Sequence, residues 1–439
     1  MDAKVDGVDG FEAIRQQVEN GFMPLHVYND QQVFDAELRK IFAKTWNFLG
    51  HESEIPQPGD YVTRFIGPDS FIVSRAEDGQ IRALFNACTH RGMQVCNNEG
   101  GNTQEFLCPY HGWVYDSAGE LRGVPHQRDI YGAEGFDRSQ NGLINIRLAN
   151  FDGMLFGCMD PEAESFEEYL GDFAWYLQLI TRRSGAGLKV MGAPQRWVAN
   201  ADWKLGYDNF VGDGYHTIVS HQSALEGGAL PFEGAEFLKY GIQINAGKGG
   251  LGLAEVPPVE GGGWPAEIFA GIEQRLTPEQ GLIYGMGGGP VYLPGHGGLF
   301  PNFSFLNAAS ALEIGGPPIP YLTFRVWRPI APGRVEIWSW CLVEADGPPE
   351  FQEASYRGYA LSFGASGVLE QDDTENWTSI SLVAKGQMAH QLALNYTMGM
   401  KSGVEPLADW PGPGTAYPTD YLEENSRKFY QQWITYLMA

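Results

Sequence analysis

The stretch Asp208-Asn209-Phe210-Val211-Gly212-Asp213-Gly214-Tyr215-His216-Thr217-Ile218-Val219-Ser220-His221 restricts what this chain can build more than any other. It sets two imidazoles and two carboxylates among apolar and aromatic neighbours. On a regular helix of about 3.6 residues per turn, side chains five apart point about 140° from each other. His216 and His221 therefore converge only across a wide turn or a helix distortion, and π-type bulges of that kind sit at functional sites. Convergence makes the stretch half of a metal site. The plainer alternative is that Asp213 caps a short helix on which two histidines happen to fall.

A chain of 439 residues exceeds the usual size of one hydrophobic core, so two domains are expected. No apolar run approaches the roughly eighteen residues that span a bilayer. The start, Met1 to Gly7, lacks the basic and apolar regions of a secretory signal. A soluble, cytoplasmic protein with no membrane partner is expected. The formal charge of −25 argues against nucleic acid, whose phosphates call for a basic surface. Cys88, Cys96, Cys108, Cys158 and Cys341 are odd in number and sparse, so clustered ones read as ligands rather than as a disulfide framework.

Residues 31–48 carry Val33, Phe34, Leu38, Ile41, Phe42 and Trp46 at helical spacing. From about Ser53, short runs at 61–66, 70–74 and 81–86, separated by Gly-Pro-Asp and Asp-Gly turns, predict a small β domain that continues through Gly157. Helical spacing returns at 165–180, where the domain boundary is placed. Beyond it, predicted strands at 321–327 and 334–343 mix with predicted helices at 350–363 and 421–437. The reading is an α+β protein: a helical segment over 1–50, an all-β domain over 51–160, and a larger domain over 161–439 built on an antiparallel sheet. Between Gly247 and Gly298 glycine is dense, including Gly261-Gly262-Gly263 and Gly287-Gly288-Gly289. This predicts long mobile loops beside a site, or a surface insertion.

Cys88-Thr89-His90-Arg91-Gly92 and Cys108-Pro109-Tyr110-His111-Gly112-Trp113 give C-x-H and then C-x-x-H, each on a Gly-containing loop. Two thiolates and two imidazoles could bind zinc. The C-x-H pair is tighter than the knuckle from which most zinc sites are built, and two loops could instead pinch a [2Fe–2S] centre with cysteines on one iron and histidines on the other. These motifs, with Asn209 to His221 following in order, make the chain resemble the large subunits of Rieske non-haem iron aromatic-ring-hydroxylating dioxygenases over roughly Trp46 to Trp377. The two-subunit group that includes naphthalene and biphenyl dioxygenases is the more similar.

The resemblance implies a Rieske [2Fe–2S] cluster on Cys88, His90, Cys108 and His111, and a helix-grip-like catalytic domain holding mononuclear Fe(II). Such iron sites use two histidines and a carboxylate on one face. His216 and His221 supply the imidazoles, and the carboxylate is sought in Leu369-Glu370-Gln371-Asp372-Asp373-Thr374-Glu375-Asn376-Trp377. The family pattern selects Asp373; helical geometry, with Ser366, Leu369, Asp373 and Trp377 on one face, is compatible but does not exclude Asp372. Asp213 matches the family's carboxylate that links a histidine of the iron site to a Rieske histidine, here His111, of a neighbouring subunit. Asn209 matches a position close to the iron, and its alternative role is bonding nearby backbone in a helix turn. Cys96, Cys158 and Cys341 read as small buried hydrophobes.

Phe210, His296, Phe363 and Leu369 fall where the family lines its substrate pocket, and apolar walls suit a planar aromatic. Core packing is the alternative for each phenylalanine, and capping a turn is the alternative for His296. The pocket stretches contain no basic residue, Lys239 and Lys248 lying in loops of unknown direction, so an uncharged aromatic is favoured over an aromatic acid. Some of Arg64, Arg82, Arg91 and Arg122 are expected to offer a docking patch to an acidic ferredoxin. The implied reaction is cis-dihydroxylation of an aromatic ring by dioxygen, with electrons from NADH through a reductase and ferredoxin. The implied assembly is a trimer of large subunits with a small β subunit, α3β3. The chain has no Gly-x-Gly-x-x-Gly turn between a strand and a helix, so the nicotinamide chemistry is assigned to a partner. Alternatives are monohydroxylation or demethylation of an aromatic acid, electron transfer alone, and a zinc-stabilised module.

Overall fold

The computed structural model describes residues 8–132, 135–228, 240–256 and 264–439. The chain divides into two compact units, one of Phe42–Ala163 and one of Met1–Ile41 with Glu164–Ala439. Residues 8–41 thus belong to the larger unit instead of standing as a segment of their own.

The smaller unit is a seven-stranded antiparallel sheet in the order Asn47–His51, Met154–Cys158, Asn145–Phe151, Ile81–Phe85, Asp69–Arg75, Asp60–Ile66, Gly100–Asn102. A second, three-stranded sheet runs Glu105–Leu107, Val114–Asp116, Leu121–Gly123. Between them lies a core of Ile72, Leu84, Phe106, Trp113, Tyr115 and Leu121 that also contains Cys88, Cys96 and Cys108. The expected helix over 31–48 is shorter in the structure. Gln31–Glu37, capped by Asp30, passes into a π turn at Leu38–Phe42, and Asn47 already begins a strand.

In the larger unit a nine-stranded sheet runs Leu188–Val190, Arg334–Glu344, Pro318–Ala331, Phe303–Ala311, Val291–Leu299, Gly249–Val256, Ile242–Ala246, Thr415–Tyr417, with Gln195–Ala199 also pairing to Arg334–Glu344. Its pairings are antiparallel. Helices Trp203–Gly212, Pro349–Ser362, Val368–Ala384 and Glu424–Met438 pack with it. The predicted helix at 165–180 breaks at Gly171, whose φ is 48°, into Phe166–Leu170 and Phe173–Thr181. Among the described residues no helix is long and apolar enough to cross a membrane.

The glycine-dense region is corrected by the structure. Gly249, Gly250, Gly252, Gly297 and Gly298 lie inside two neighbouring strands of the sheet, not in loops. A Cβ on Gly249 would sit 2.3 Å from the ring of Phe173, and one on Gly298 would sit 2.9 Å from that of Tyr207. Glycine is there because helices and side chains press directly on the strand backbone. Gly287-Gly288-Gly289 does form a turn, and Gly261-Gly262-Gly263 lies outside the described residues.

A buried polar cluster ties the N-terminal segment to helices Trp203–Gly212 and Glu424–Met438. Lys204 Nζ lies 2.7 Å from Glu37 Oε1 and 2.8 Å from Asp202 Oδ1. Glu37 also accepts from the indoles of Trp203 at 2.8 Å and Trp433 at 2.7 Å. A buried charge is stable only when paired and hydrogen-bonded in this way.

Gly206 tests the packing of helix Trp203–Gly212. Alanine is the better helix former by about 1 kcal/mol, but its Cβ would lie 2.3 Å from the ring of the fully buried Trp327. Overpacking of that kind costs about 1–3 kcal/mol. Gly206→Ala is therefore expected to lower the thermal midpoint of the larger unit by a few degrees, and a scan showing a rise would contradict the packing described.

Candidate functional site

Asp202 caps the start of helix Trp203–Gly212, accepting from Lys204 N–H at 3.0 Å. The helix ends at Gly212, where a Cβ would meet Asn425 at 2.8 Å and the backbone nitrogen of Ser426 at 3.0 Å. Asp213 then leaves helical geometry, and its Oδ1 accepts from His216 N–H at 3.1 Å. A single helical turn, Thr217–Ser220, follows, with His216 and His221 as its two flanking residues. Convergence therefore comes from a helix break and one short turn, not from a π bulge. The two rings stand 5.2 Å apart.

Each ring has one nitrogen held and one presented. His216 Nδ1–H donates to the Asp213 carbonyl, and His221 Nδ1–H donates to Asp372 Oδ2 at 3.2 Å. Both Nε2 atoms then face one oxygen, Asp373 Oδ1, each at 3.3 Å. The candidate ligand atoms of His216, His221 and Asp373 all lie within 4.8 Å of one another. Burial opposes charge on Asp373, yet the imidazoles of His216 and His221 outweigh it and hold the carboxyl well below the usual range. Asp373 Oδ1 is buried and makes no well-directed hydrogen bond among the described residues. Two nitrogens and an unsatisfied carboxylate oxygen aimed at one point suit a divalent transition metal with positions left open.

Helix Val368–Ala384 separates the two aspartates that the sequence left open. Asp373 shares a buried face with Leu369 and Trp377 and points at both rings, whereas Asp372 bonds the rear of His221. Asn209 is half-buried; its carbonyl accepts from Asp213 N–H at 3.4 Å. Asp213 keeps 41% of its side chain exposed.

Phe210 and Phe363 are buried with ring centroids 6.2 Å apart, and Phe363 stands 6.4 Å from His221. His296 is not the turn cap of the alternative reading. It lies in strand Val291–Leu299 with Nδ1 2.9 Å from the Phe210 carbonyl and Nε2 2.6 Å from Asp420 Oδ2. It neither caps a turn nor keeps a donor for a ligand. The reading of a wall without basic residues misses Arg325, whose guanidinium lies 4.8 Å from the Phe210 ring and 5.4 Å from that of Phe363. Its charge is met by Glu370 and by the Phe363 carbonyl. An arginine inside the apolar run Tyr321 to Trp327 was its sequence signal. Lys248 pairs with Glu164 and covers Tyr169; Lys239 lies outside the described residues.

In the smaller unit two loops repeat one turn. Cys88 N–H donates to the Met93 carbonyl and Cys108 N–H to that of Trp113, while each cysteine carbonyl accepts from a glycine four residues on, Gly92 at 2.8 Å and Gly112 at 3.0 Å. Those glycines have φ of 71° and 72°, which side chains other than glycine avoid. The turns bring the rings of His90 and His111 to 4.5 Å, with His90 stacked on Trp113 at 4.9 Å. His90 Nδ1 is buried without a hydrogen-bond partner among the described residues. Tyr115, which the sequence reading passed over, places its hydroxyl 3.1 Å from Cys88 Sγ. The expected arginine patch is corrected in part. Arg64 is buried and paired with Glu54, Arg82 pairs with Asp78, and Arg122 pairs with Asp116 and Glu120; Arg91 is exposed.

Comparison with known proteins gives two family matches, the Rieske [2Fe-2S] domain over residues 45–140 and the catalytic domain of the ring-hydroxylating alpha subunit over 166–439. The chain is 34% identical to the alpha subunit of the N,N-dimethyl phenylurea N-demethylase of Sphingobium sp. (strain YBL2), covering 98% of this chain and 94% of that one. It is 35% identical to the large oxygenase component of the naphthalene 1,2-dioxygenase system of Pseudomonas aeruginosa, covering 96% and 93%. The crystal structure of naphthalene 1,2-dioxygenase from Rhodococcus sp. bound to indole superposes with a TM-score of 0.91 at 46% identity, covering 97% of this chain and 98% of that one.

The two aspartates should separate by metal content. Asp373→Asn removes the charged oxygen that faces both rings, so iron measured after desalting is expected to fall to background. Asp372→Asn keeps an acceptor behind His221 and is expected to weaken binding by only about 10-fold. Equal losses in the two variants would contradict this division.

Proposed function

Because the chain belongs to the Rieske ring-hydroxylating oxygenase alpha-subunit family, we propose that it is the catalytic large subunit of a cytoplasmic system that adds both atoms of dioxygen to an uncharged aromatic ring. The product would be a cis-dihydrodiol. The protein is an oxidoreductase, and its family carries a Rieske [2Fe–2S] cluster and a mononuclear iron. In this reading Cys88, His90, Cys108 and His111 hold the cluster, and His216, His221 and Asp373 hold the iron. When bound, the cluster supplies single electrons and the iron supplies the open positions at which dioxygen reacts.

The chain's own residues do the rest. The Asp213 carbonyl and Asp372 fix each histidine in the form that presents Nε2, so the ligand set is preorganised. Phe210, Phe363 and Leu369 supply a dry aromatic and aliphatic wall beside His221. The observation that carries the choice of an uncharged substrate is that Arg325, packed against both phenylalanines, is already neutralised by Glu370. An aromatic acid would have to compete with a buried carboxylate for that guanidinium. The Pseudomonas aeruginosa relative is the large oxygenase component of a dioxygenase system, and for this chain we assign the electron supply to an NADH-dependent reductase and a ferredoxin.

We assign to Asp213, half-buried and 3.8 Å from His216 Nδ1, the contact to His111 of the partner subunit across a trimer of large subunits, with small β subunits completing α3β3. A carboxylate between two histidines gives a short hydrogen-bonded route between the metals. Tyr115 acts on the cluster: its hydroxyl donates to Cys88 Sγ and favours the more negative, reduced state.

A second reading, demethylation or monohydroxylation, is favoured by the similarity to the N-demethylase subunit. Labelled dioxygen separates the two. Both labelled atoms in one diol support the first reading, and one labelled atom with a phenol or released aldehyde supports the second. Asp213→Ala is expected to keep iron and the visible spectrum of the cluster while lowering turnover about 10–100-fold. Tyr115→Phe is expected to keep the cluster and lower its reduction potential by about 20–60 mV, one hydrogen bond's worth for a single electron; protein-film voltammetry reads this directly.

A further inference from the structure

The last four carbonyls of an α-helix have no partner within it. In helix Trp203–Gly212 the first of them, from Asn209, accepts from Asp213 N–H. The other three are met by side chains from distant parts of the chain. Phe210 O lies 2.9 Å from His296 Nδ1, Val211 O accepts from Asn425 Nδ2 at 3.0 Å, and Gly212 O accepts from Gln243 Nε2 at 3.4 Å.

His296 differs from the two amides in carrying charge. Its partners are a peptide carbonyl, which can only accept, and Asp420, which is fully buried. A ring that donates from both nitrogens is an imidazolium. Burial works against its proton, but the Asp420 carboxylate outweighs burial and keeps His296 above its ordinary range, with His216 opposing more weakly. A cation at the C-terminal end of a helix is also favoured by the aligned peptide dipoles.

The backbone around the pair is cleared for it. Gly252 lies opposite His296 in the sheet register, and a Cβ there would stand 2.3 Å from His296 Nε2 and 2.4 Å from Asp420 Oδ2. Gly214, between Asp213 and the metal-site turn, would put a Cβ 2.9 Å from Asp420 Oδ2. Neither position tolerates a side chain while the pair is intact.

We propose that His296 and Asp420 form a charged clamp that positions the last turn of helix Trp203–Gly212, and through Phe210 one wall of the pocket, and that His296 gives no hydrogen bond to the substrate. His296 is a positioning residue. The proposal rests on the reading that His216, His221 and Asp373 hold iron, because the clamped turn is what sends the chain out of the helix at Asp213 toward both histidines.

The test uses the holoenzyme with Asp420→Asn, which keeps shape and an acceptor but removes the counter-charge. Without it the ring holds its second proton only at low pH, so the clamp is whole at about pH 5.5 and broken at about pH 8.5. Relative to wild type at the same pH, D420N is expected to retain iron normally at the lower pH and to lose it several-fold faster at the higher, with a shifted ratio of product regioisomers. Gly252→Ala, which drives a methyl group between ring and carboxylate, should instead be impaired at both. D420N that matches wild type at both values, or is equally impaired at both, overturns the clamp. Wild type that holds no iron at either pH overturns the iron reading itself, and the clamp with it. If D420N does not accumulate, wild-type enzyme labelled with 15N-histidine decides. Two downfield ring N–H signals that persist at about pH 8.5 and are absent from His296→Gln support the clamp, and a single one overturns it.

Discussion

Four peptide carbonyls at the end of one helix set the terms for the catalytic unit. They cannot be left dry, and the chain meets them with His296 from a central strand, Asn425 from the C-terminal helix, Gln243 from another strand and the backbone of Asp213. Because those partners come from three distant segments, the helix can end at Gly212 only once the sheet and the C-terminal helix are in place. The end of that helix in turn decides where His216 and His221 point. The convergence of the two imidazoles is thus a consequence of tertiary hydrogen bonding more than of local propensity.

The other end of the same helix is fixed by Lys204, Glu37 and Asp202. A buried lysine shared between two carboxylates adds little net stability over a well-packed apolar substitute, but losing one partner strands a charge. It serves register: it joins the N-terminal segment, the helix and, through Trp433, the C-terminal helix at one point. Arg325 and Glu370 do the same on the pocket side, holding the helix that bears Asp372 and Asp373 against the sheet while lying under Phe210 and Phe363. Arg325 and Glu370 form a one-to-one ion pair, which lets the walls of Phe210 and Phe363 beside it remain apolar in a chain of formal charge −25.

Glycine performs two unrelated tasks here. At Gly92 and Gly112 it allows a left-handed turn, twice over, so that a C-x-H and a C-x-x-H segment fold alike despite different spacing. At Gly249, Gly252 and Gly298 the need is for space, since rings and carboxylates pack straight onto the strand. Composition alone does not tell these uses apart, and the two ends of a glycine-dense stretch read as loop lie in sheet.

The sequence by itself determined the candidate donor residues, the order of the two units and the family, because ligand chemistry demands particular residue types at short spacings that survive in one dimension. Cys88, His90, Cys108 and His111 are legible in that way, as are His216 and His221. Period-two and helical patterns likewise located the strands at 61–66 and 334–343 and the helix at 350–363. What only the tertiary structure decided was direction. Adjacent aspartates differ by about 100° around a helix, yet which one faces the rings depends on how that helix docks, and docking is set by Arg325, Glu370 and the sheet. The use of His296 was equally hidden, since its partners Phe210 and Asp420 are 86 and 124 positions away, and a hydrogen bond between distant segments leaves no trace in the order of residues.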